Sequence, residues 1–318
     1  MNKFAFHILA FLYVFLFAFN LQLSASNFEV YQDFKFNGQK RQYLIHTPAN
    51  WDHQTPIPLL IALHGGGGNA RQFCHYSGFD SLSDHYNFAV IYPNALHKHW
   101  NDERGDLHLT NKLENADDIG FLTALIDSFV TQTPIGKFQV VLTGISNGGI
   151  MSIRLALEHP DKYFGIAPIA SSMSQSLYEK VSEKPPVALP EMLIINGTSD
   201  PLVPYNGGDI MVFGKARGKV IGTKSTLDFW AKNNSNDLTP CQKIAIPDLD
   251  SYDYCTASQF FYCPTSTNKR LSLIQIINGG HTMPGKRQYL PRRLVGNTCY
   301  DFNAAQSIVQ FYFIKIPK

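Results

Sequence analysis

The chain places Gly144-Ile145-Ser146-Asn147-Gly148 between an apolar, β-prone run at 138–143 and a helix-compatible run at 150–158. Strand, Gly-x-Ser-x-Gly, helix is a narrow constraint, because the serine must sit on a strained turn at the end of a buried strand. Small flanking residues let neighbouring backbone come close there. A helix that starts behind the serine turns free N–H groups toward developing negative charge. An ordinary tight turn uses the same residue types, so the pentapeptide has to be read with the rest of the chain.

The rest of the chain alternates strands and helices. Residues 58–63, 88–92, 138–142, 192–195 and 271–277 are short, continuous apolar runs. Strands buried on both faces look like this. Helical patterns follow at 79–86, 118–131, 150–158 and 225–232, and a closing helix is expected at 304–314. Residues 30–36 and 41–46 read as a hairpin around Asn37-Gly38. The pattern predicts an α/β fold: a mainly parallel, doubly wound sheet with helices on both faces. Two stretches interrupt it. Residues 174–190, with Pro185-Pro186, read as a surface loop or lid. Residues 233–270 are polar, hold three cysteines and read as an inserted excursion.

The bulk numbers limit the function classes. With 318 residues, 44% hydrophobic and 16% charged, the chain can bury a sizeable core. A net charge of +2 without a long basic run argues against nucleic acid as a partner. Lys3 precedes an apolar stretch at 4–23, and Ser24-Ala25-Ser26 offers small residues for cleavage. This pattern predicts a secretory signal peptide over 1–26, with an uncleaved anchor as the alternative. A secreted (extracellular or periplasmic) protein follows, with one catalytic domain over 27–318 and no stable membrane association after cleavage. Five cysteines then allow two bridges and one free thiol, and their pairing stays open. No Cys-x-x-Cys and no zinc-like His/Cys spacing is present, so no metal is expected.

Three further segments carry chemistry. His64-Gly65-Gly66-Gly67-Gly68 follows the 58–63 strand directly. Such a loop can expose backbone N–H groups, so Gly65 and Gly66, with Asn147 after the serine, are the candidate oxyanion hole. The run lacks the Gly-Lys-Ser/Thr ending of a phosphate loop. Asp200, in Gly197-Thr198-Ser199-Asp200-Pro201, stands just past the 192–195 strand. It can orient a histidine or cap an Asx turn, and the two roles are compatible. His281, in Gly279-Gly280-His281-Thr282, stands just past the 271–277 strand. The order Ser146, Asp200, His281, each at a strand end, is the nucleophile–acid–base order of α/β-hydrolases. Asp117 and Asp118 read as helix caps. Trp100, in the polar loop after the 88–92 strand, is either a substrate-lining or a packed ring.

The chain resembles the polyhydroxybutyrate-depolymerase-like esterases, a secreted α/β-hydrolase family that includes feruloyl and acetylxylan esterases. The resemblance runs from about residue 58 to 313. It rests on Leu63-His64-Gly65-Gly66, Tyr92-Pro93-Asn94, Asp117-Asp118-Ile119-Gly120-Phe121, Thr143-Gly144-Ile145-Ser146-Asn147-Gly148-Gly149, Asn196-Gly197-Thr198-Ser199-Asp200-Pro201 and Gly279-Gly280-His281-Thr282. It implies Ser146 as nucleophile, His281 as base, Asp200 as its orienter and no cofactor. It also implies a bridge between Cys241 and Cys263. Relatives often carry Trp where this chain has Met283, so Met283 is expected to change a pocket wall. The implied activity is a serine carboxylic-ester hydrolase acting on 3-hydroxyalkanoate esters or oligomers. The alternatives are a feruloyl or acetylxylan esterase and, from another class, a catalytically silent binding protein on the same fold. The partner is then a small or oligomeric ester, and the oligomeric state is not legible.

Overall fold

Six strands line up in parallel at the centre of the molecule: β3 (Ile57–Leu63), β4 (Ala89–Pro93), β5 (Ile135–Ile145), β6 (Gly165–Ile169), β7 (Glu191–Gly197) and β12 (Leu271–Ile277). In space they run β4-β3-β5-β6-β7-β12. β4, β6 and β7 are buried at every position, which explains the apolar runs of β4 and β6 and the 192–195 run of β7 between Glu191 and Asn196. Antiparallel strands extend both edges. β1 (Gln32–Phe36) and β2 (Gln39–His46) add to β4, and β10 (Gln242–Ile246) and β11 (Thr256–Tyr262) add to β12, which makes a sheet of 10 strands. The structure is a computed structural model that describes residues 30–105 and 116–314. The expected signal segment, 1–26, lies outside them. From Gln32 onward the chain makes one compact unit.

The excursion at 233–270 therefore contributes the β10–β11 edge of the sheet. Cys241 and Cys263 are bridged and close that edge. Cys74, Cys255 and Cys299 are buried free thiols. Among the described residues no helix is long and apolar enough to cross a membrane.

Helices return the chain between strands: α1 (Ala70–Ser77), α2 (Phe79–Tyr86), α3 (Asp118–Gln132), α4 (Asn147–Glu158), α5 (Gln175–Ser182) and α6 (Thr223–Asn234). A short α7 (Arg292–Val295) precedes the closing α8 (Ala304–Tyr312). Residues 174–190 thus hold a helix as well as loop. Ser174 caps that helix by accepting from the Leu177 N–H. A separate two-stranded hairpin, β8 (Gly208–Val212) and β9 (Lys215–Val220), stands outside the main sheet.

α3 shows how local sequence sets both a helix start and a long-range link. Asp117 is the N-cap and accepts from the Gly120 N–H at 2.8 Å. Asp118, one residue on, is buried and pairs with Arg41 of β2 at 2.7 Å, while its other oxygen accepts from the Asn101 N–H at 2.8 Å. Burial pushes the Asp118 carboxyl up, and the Arg41 guanidinium opposes that shift. The capping expectation holds for Asp117, whereas Asp118 is one half of a buried ion pair.

Candidate active site

Ser146 has φ 57° and ψ −122°, a backbone conformation that side-chain-bearing residues rarely adopt. Packing around the turn holds it there. A Cβ on Gly144 would stand 2.5 Å from the Gly148 backbone, and a Cβ on Gly148 would meet the Leu63 carbonyl oxygen and stand 2.5 Å from that of His64. Both glycines are required because β3, β5 and the start of α4 meet backbone to backbone. The Ser146 N–H is fixed on the Ile169 carbonyl at 2.9 Å. The side chain is left at the top of the sheet, at the N-terminus of α4.

Asp200 and His281 come together from the ends of β7 and β12. His281 Nδ1 stands 2.7 Å from Asp200 Oδ2, with both side chains nearly fully buried. The other carboxylate oxygen, Oδ1, accepts from the Leu202 and Val203 N–H groups, each at 2.8 Å. One residue therefore makes the Asx turn and holds the imidazole. Glycine again sets the approach: a Cβ on Gly197 would overlap the Gly279 carbonyl, and one on Gly280 would overlap that of Val295.

Ser146 and His281 line one cavity of about 910 Å³, together with Gly65, Gly66 and Asn147. In the glycine loop, the Gly67 N–H donates to Lys98 at 2.8 Å and the Gly68 N–H to Gly65 at 3.1 Å. Gly65 and Gly66 donate in neither of these turn bonds, and a Cβ on Gly65 would stand 3.7 Å from the Ser146 Cβ. A Cβ on Gly66 would come 3.1 Å from the His99 ring. Asn147 opens α4, where N–H groups have no partner within the helix.

His64 holds this loop from beneath. Its Nδ1 is 2.8 Å from the Gly65 carbonyl, and its Nε2 accepts from the Ala95 N–H at 3.2 Å. Because Nε2 accepts, the proton is on Nδ1. Burial pushes its pKa down to about 4, so the ring stays neutral at physiological pH.

Trp100 and Met283 stand elsewhere than a substrate wall. Trp100 is 1% exposed and packs in the main core; Met283 is 0% exposed, and neither lines the cavity. Trp100 is anchored instead. Its indole N–H donates to the His64 carbonyl at 2.9 Å, and its backbone N–H donates to Asn147 Oδ1 at 2.8 Å. Asn147 Nδ2 returns bonds to the Trp100 carbonyl at 3.0 Å and to Asp102 Oδ2 at 2.6 Å. The Asn147 side chain thus ties the loop after β4 to the start of α4. Burial raises the Asp102 carboxyl, while Arg104 pulls it down.

The cavity walls come from segments that sequence reading passed over. α1 supplies Phe73 and Tyr76, the turn after Asp200 supplies Leu202 and Val203, and the β8–β9 hairpin supplies Ile210 and Phe213. The hairpin turns at Phe213-Gly214, both with positive φ, where Asn-Gly is the usual signal. A possible metal-ligand group, Asp253, Cys299 and Asp301, is buried away from the cavity lining. Its four carboxylate oxygens already accept from Cys255, Tyr300, Leu249, Asp250 and the Cys299 thiol. These bonds give the group a structural role in joining two loops.

Comparison with known proteins bears on the fold and the class of reaction. Residues 43–177 match the family model described as esterase PHB depolymerase. A putative esterase, NocK, of Nocardia uniformis subsp. tsuyamanensis is 28% identical over 86% of this chain and 79% of its own length. Feruloyl esterase B of Piromyces equi is 25% identical over 76% of this chain, which spans only 42% of that relative. An acetyl xylan esterase structure from Aspergillus awamori shares the fold with a TM-score of 0.57, at 15% identity, over 80% of this chain and 94% of that one. Residues 43–177 thus resemble the esterase PHB depolymerase family, and the chain is a serine carboxylic-ester hydrolase with an α/β-hydrolase fold.

Proposed function

We propose that the protein is a secreted esterase in which Ser146 attacks the ester carbonyl and His281 takes its proton. The observation that carries this reading is the 2.7 Å contact of Asp200 Oδ2 with His281 Nδ1, in a cavity that Ser146 and His281 share. The contact puts the imidazole proton on Nδ1 and leaves Nε2 as the base. The tetrahedral oxyanion lies against the N–H groups of Gly65, Gly66 and Asn147. Each such donor is worth about 3–4 kcal/mol in the transition state. His281 then protonates the leaving alcohol, and water releases the acid from Ser146 by the reverse sequence. The substrate is a 3-hydroxyalkanoate ester or oligomer. The family match and the apolar wall of Leu202, Val203 and Ile210 support an aliphatic acyl group.

The test is mass spectrometry of the acids released from 3-hydroxybutyrate oligomers, methyl ferulate and acetylated xylan, with Ser146→Ala as the blank. Release of 3-hydroxybutyrate by the parent protein alone is expected. Ferulate or acetate in its place keeps the mechanism and moves the substrate to plant polysaccharide esters. Full turnover in Ser146→Ala refutes the mechanism.

A further inference from the structure

The charge in the cavity is one-sided. Its lining includes His75, His99, Arg104, Arg217, Lys286 and Arg287, and among the described residues no Asp or Glu. Arg104 is held by Asp102, with Nε 3.5 Å from Oδ1. Lys286 and Arg287 differ from it. Among the described residues neither side chain meets a carboxylate.

Lys286 is half-buried, and its Nζ lies over Gly78, where a Cβ would come within 2.6 Å of it. Burial pushes its pKa down. A half-desolvated ammonium without a partner costs stability, and an anion arriving in the cavity removes that cost. The backbone fixes where the two cations stand. Gly285, with φ 74°, turns the chain after Met283, its N–H donates to Cys299 at 2.8 Å, and the Lys286 N–H donates to Met283 at 3.2 Å. Both cations therefore sit on a tethered turn a few residues after His281, in the wall of the cavity that holds Ser146.

We infer that the cavity takes esters that carry a free carboxylate, with Lys286 and Arg287 meeting that group while the scissile carbonyl lies at Ser146. The inference rests on the proposed esterase reading and sharpens it. For hydroxyalkanoates, it makes the free-acid end of a short oligomer the preferred substrate, ahead of neutral esters or the interior of a polymer.

The test compares kcat/KM for the 3-hydroxybutyrate trimer as free acid and as methyl ester, in the parent protein and in Lys286→Gln/Arg287→Gln. Products are counted for the internal ester bonds only. The free acid is expected to be favoured by at least about tenfold. The double variant brings the ratio close to unity. Raising the salt on the unaltered protein lowers the same ratio, which keeps the test open if the variant folds poorly. Equal rates for acid and methyl ester in the parent protein overturn the inference, as does a ratio that survives both the substitutions and salt. If neither trimer is cleaved and a fluorophosphonate fails to label Ser146, the esterase reading itself falls.

Discussion

Replacing Asp200 by Asn tests the proposed division of labour within one carboxylate. Oδ1 accepts from two backbone N–H groups, and Oδ2 faces His281. An asparagine has one oxygen to divide between these tasks. With the oxygen on the Leu202 and Val203 N–H groups, its NH₂ donates to His281 Nδ1 and drives the imidazole proton to Nε2. That tautomer cannot take the Ser146 proton. The flipped amide restores the tautomer but sets its NH₂ against two donors, losing about 2 kcal/mol of hydrogen bonding, or about 30-fold in population. Even when flipped, a neutral amide forgoes charge-assisted support of the imidazolium, about another 2–3 kcal/mol, or about 100-fold. Asp200→Asn should therefore lower kcat by about 10³–10⁴-fold with the midpoint of thermal unfolding almost unmoved. Hydrolysis of p-nitrophenyl acetate, normalised to folded protein by circular dichroism, measures the first; a calorimetric scan measures the second. A kcat within tenfold of the parent value would show that His281 does not depend on Asp200 for its tautomer, and the mechanism would be wrong.

Three other expectations concern the frame around the site. Because burial pushes the His64 pKa to about 4, the folded state resists a proton that the unfolded chain accepts near 6.5. Its contribution is unchanged above about pH 6.5 and turns against folding by up to about 3 kcal/mol as pH falls to 4, which urea titrations across that range should detect as a term lost in His64→Gln. Arg41→Met should destabilise by about 3–5 kcal/mol by leaving Asp118 charged and unpaired in the interior, whereas Arg41→Met with Asp118→Leu should recover much of it; equal losses in both variants would contradict the ion-pair account. Gly148→Ala forces a methyl against the Leu63 and His64 carbonyls, and a soluble variant with parent activity and thermal midpoint would refute the backbone contact described here.

Legibility in the sequence followed the kind of physics involved. The strands at the centre of the sheet were readable because burial on both faces forces unbroken apolar runs, as in Ile57–Leu63. Ser146, Asp200 and His281 were readable as candidates because each stands just past such a run. The β8–β9 hairpin was not, since Phe213 takes a turn position usually marked by Asn. The helix Gln175–Ser182 hid in a polar stretch because it buries only Leu177. Arg41 and Asp118 are 77 residues apart, and no local pattern announces that pairing. Trp100 stayed open between two roles for a simple reason. A tryptophan in a polar loop reads the same from sequence whether it faces a substrate or, as here, anchors the loop to Asn147.

The cavity wall at β8–β9 has a fixed root and an open end. Gly207 packs against the Ile221–Gly222 backbone, and Gly218 lies against the Arg104 carbonyl. Met211 donates its N–H to Leu202, the residue whose own N–H caps Asp200. At the other end Phe213 is 73% exposed, and a Cβ on Gly214 would meet nothing within 4 Å. Insertions are tolerated where backbone is exposed and unbonded. Descendants of this chain can thus lengthen the hairpin at 213–214 and reshape what enters the cavity, while the same insertion at 207–208 would reach Asp200 through two hydrogen bonds.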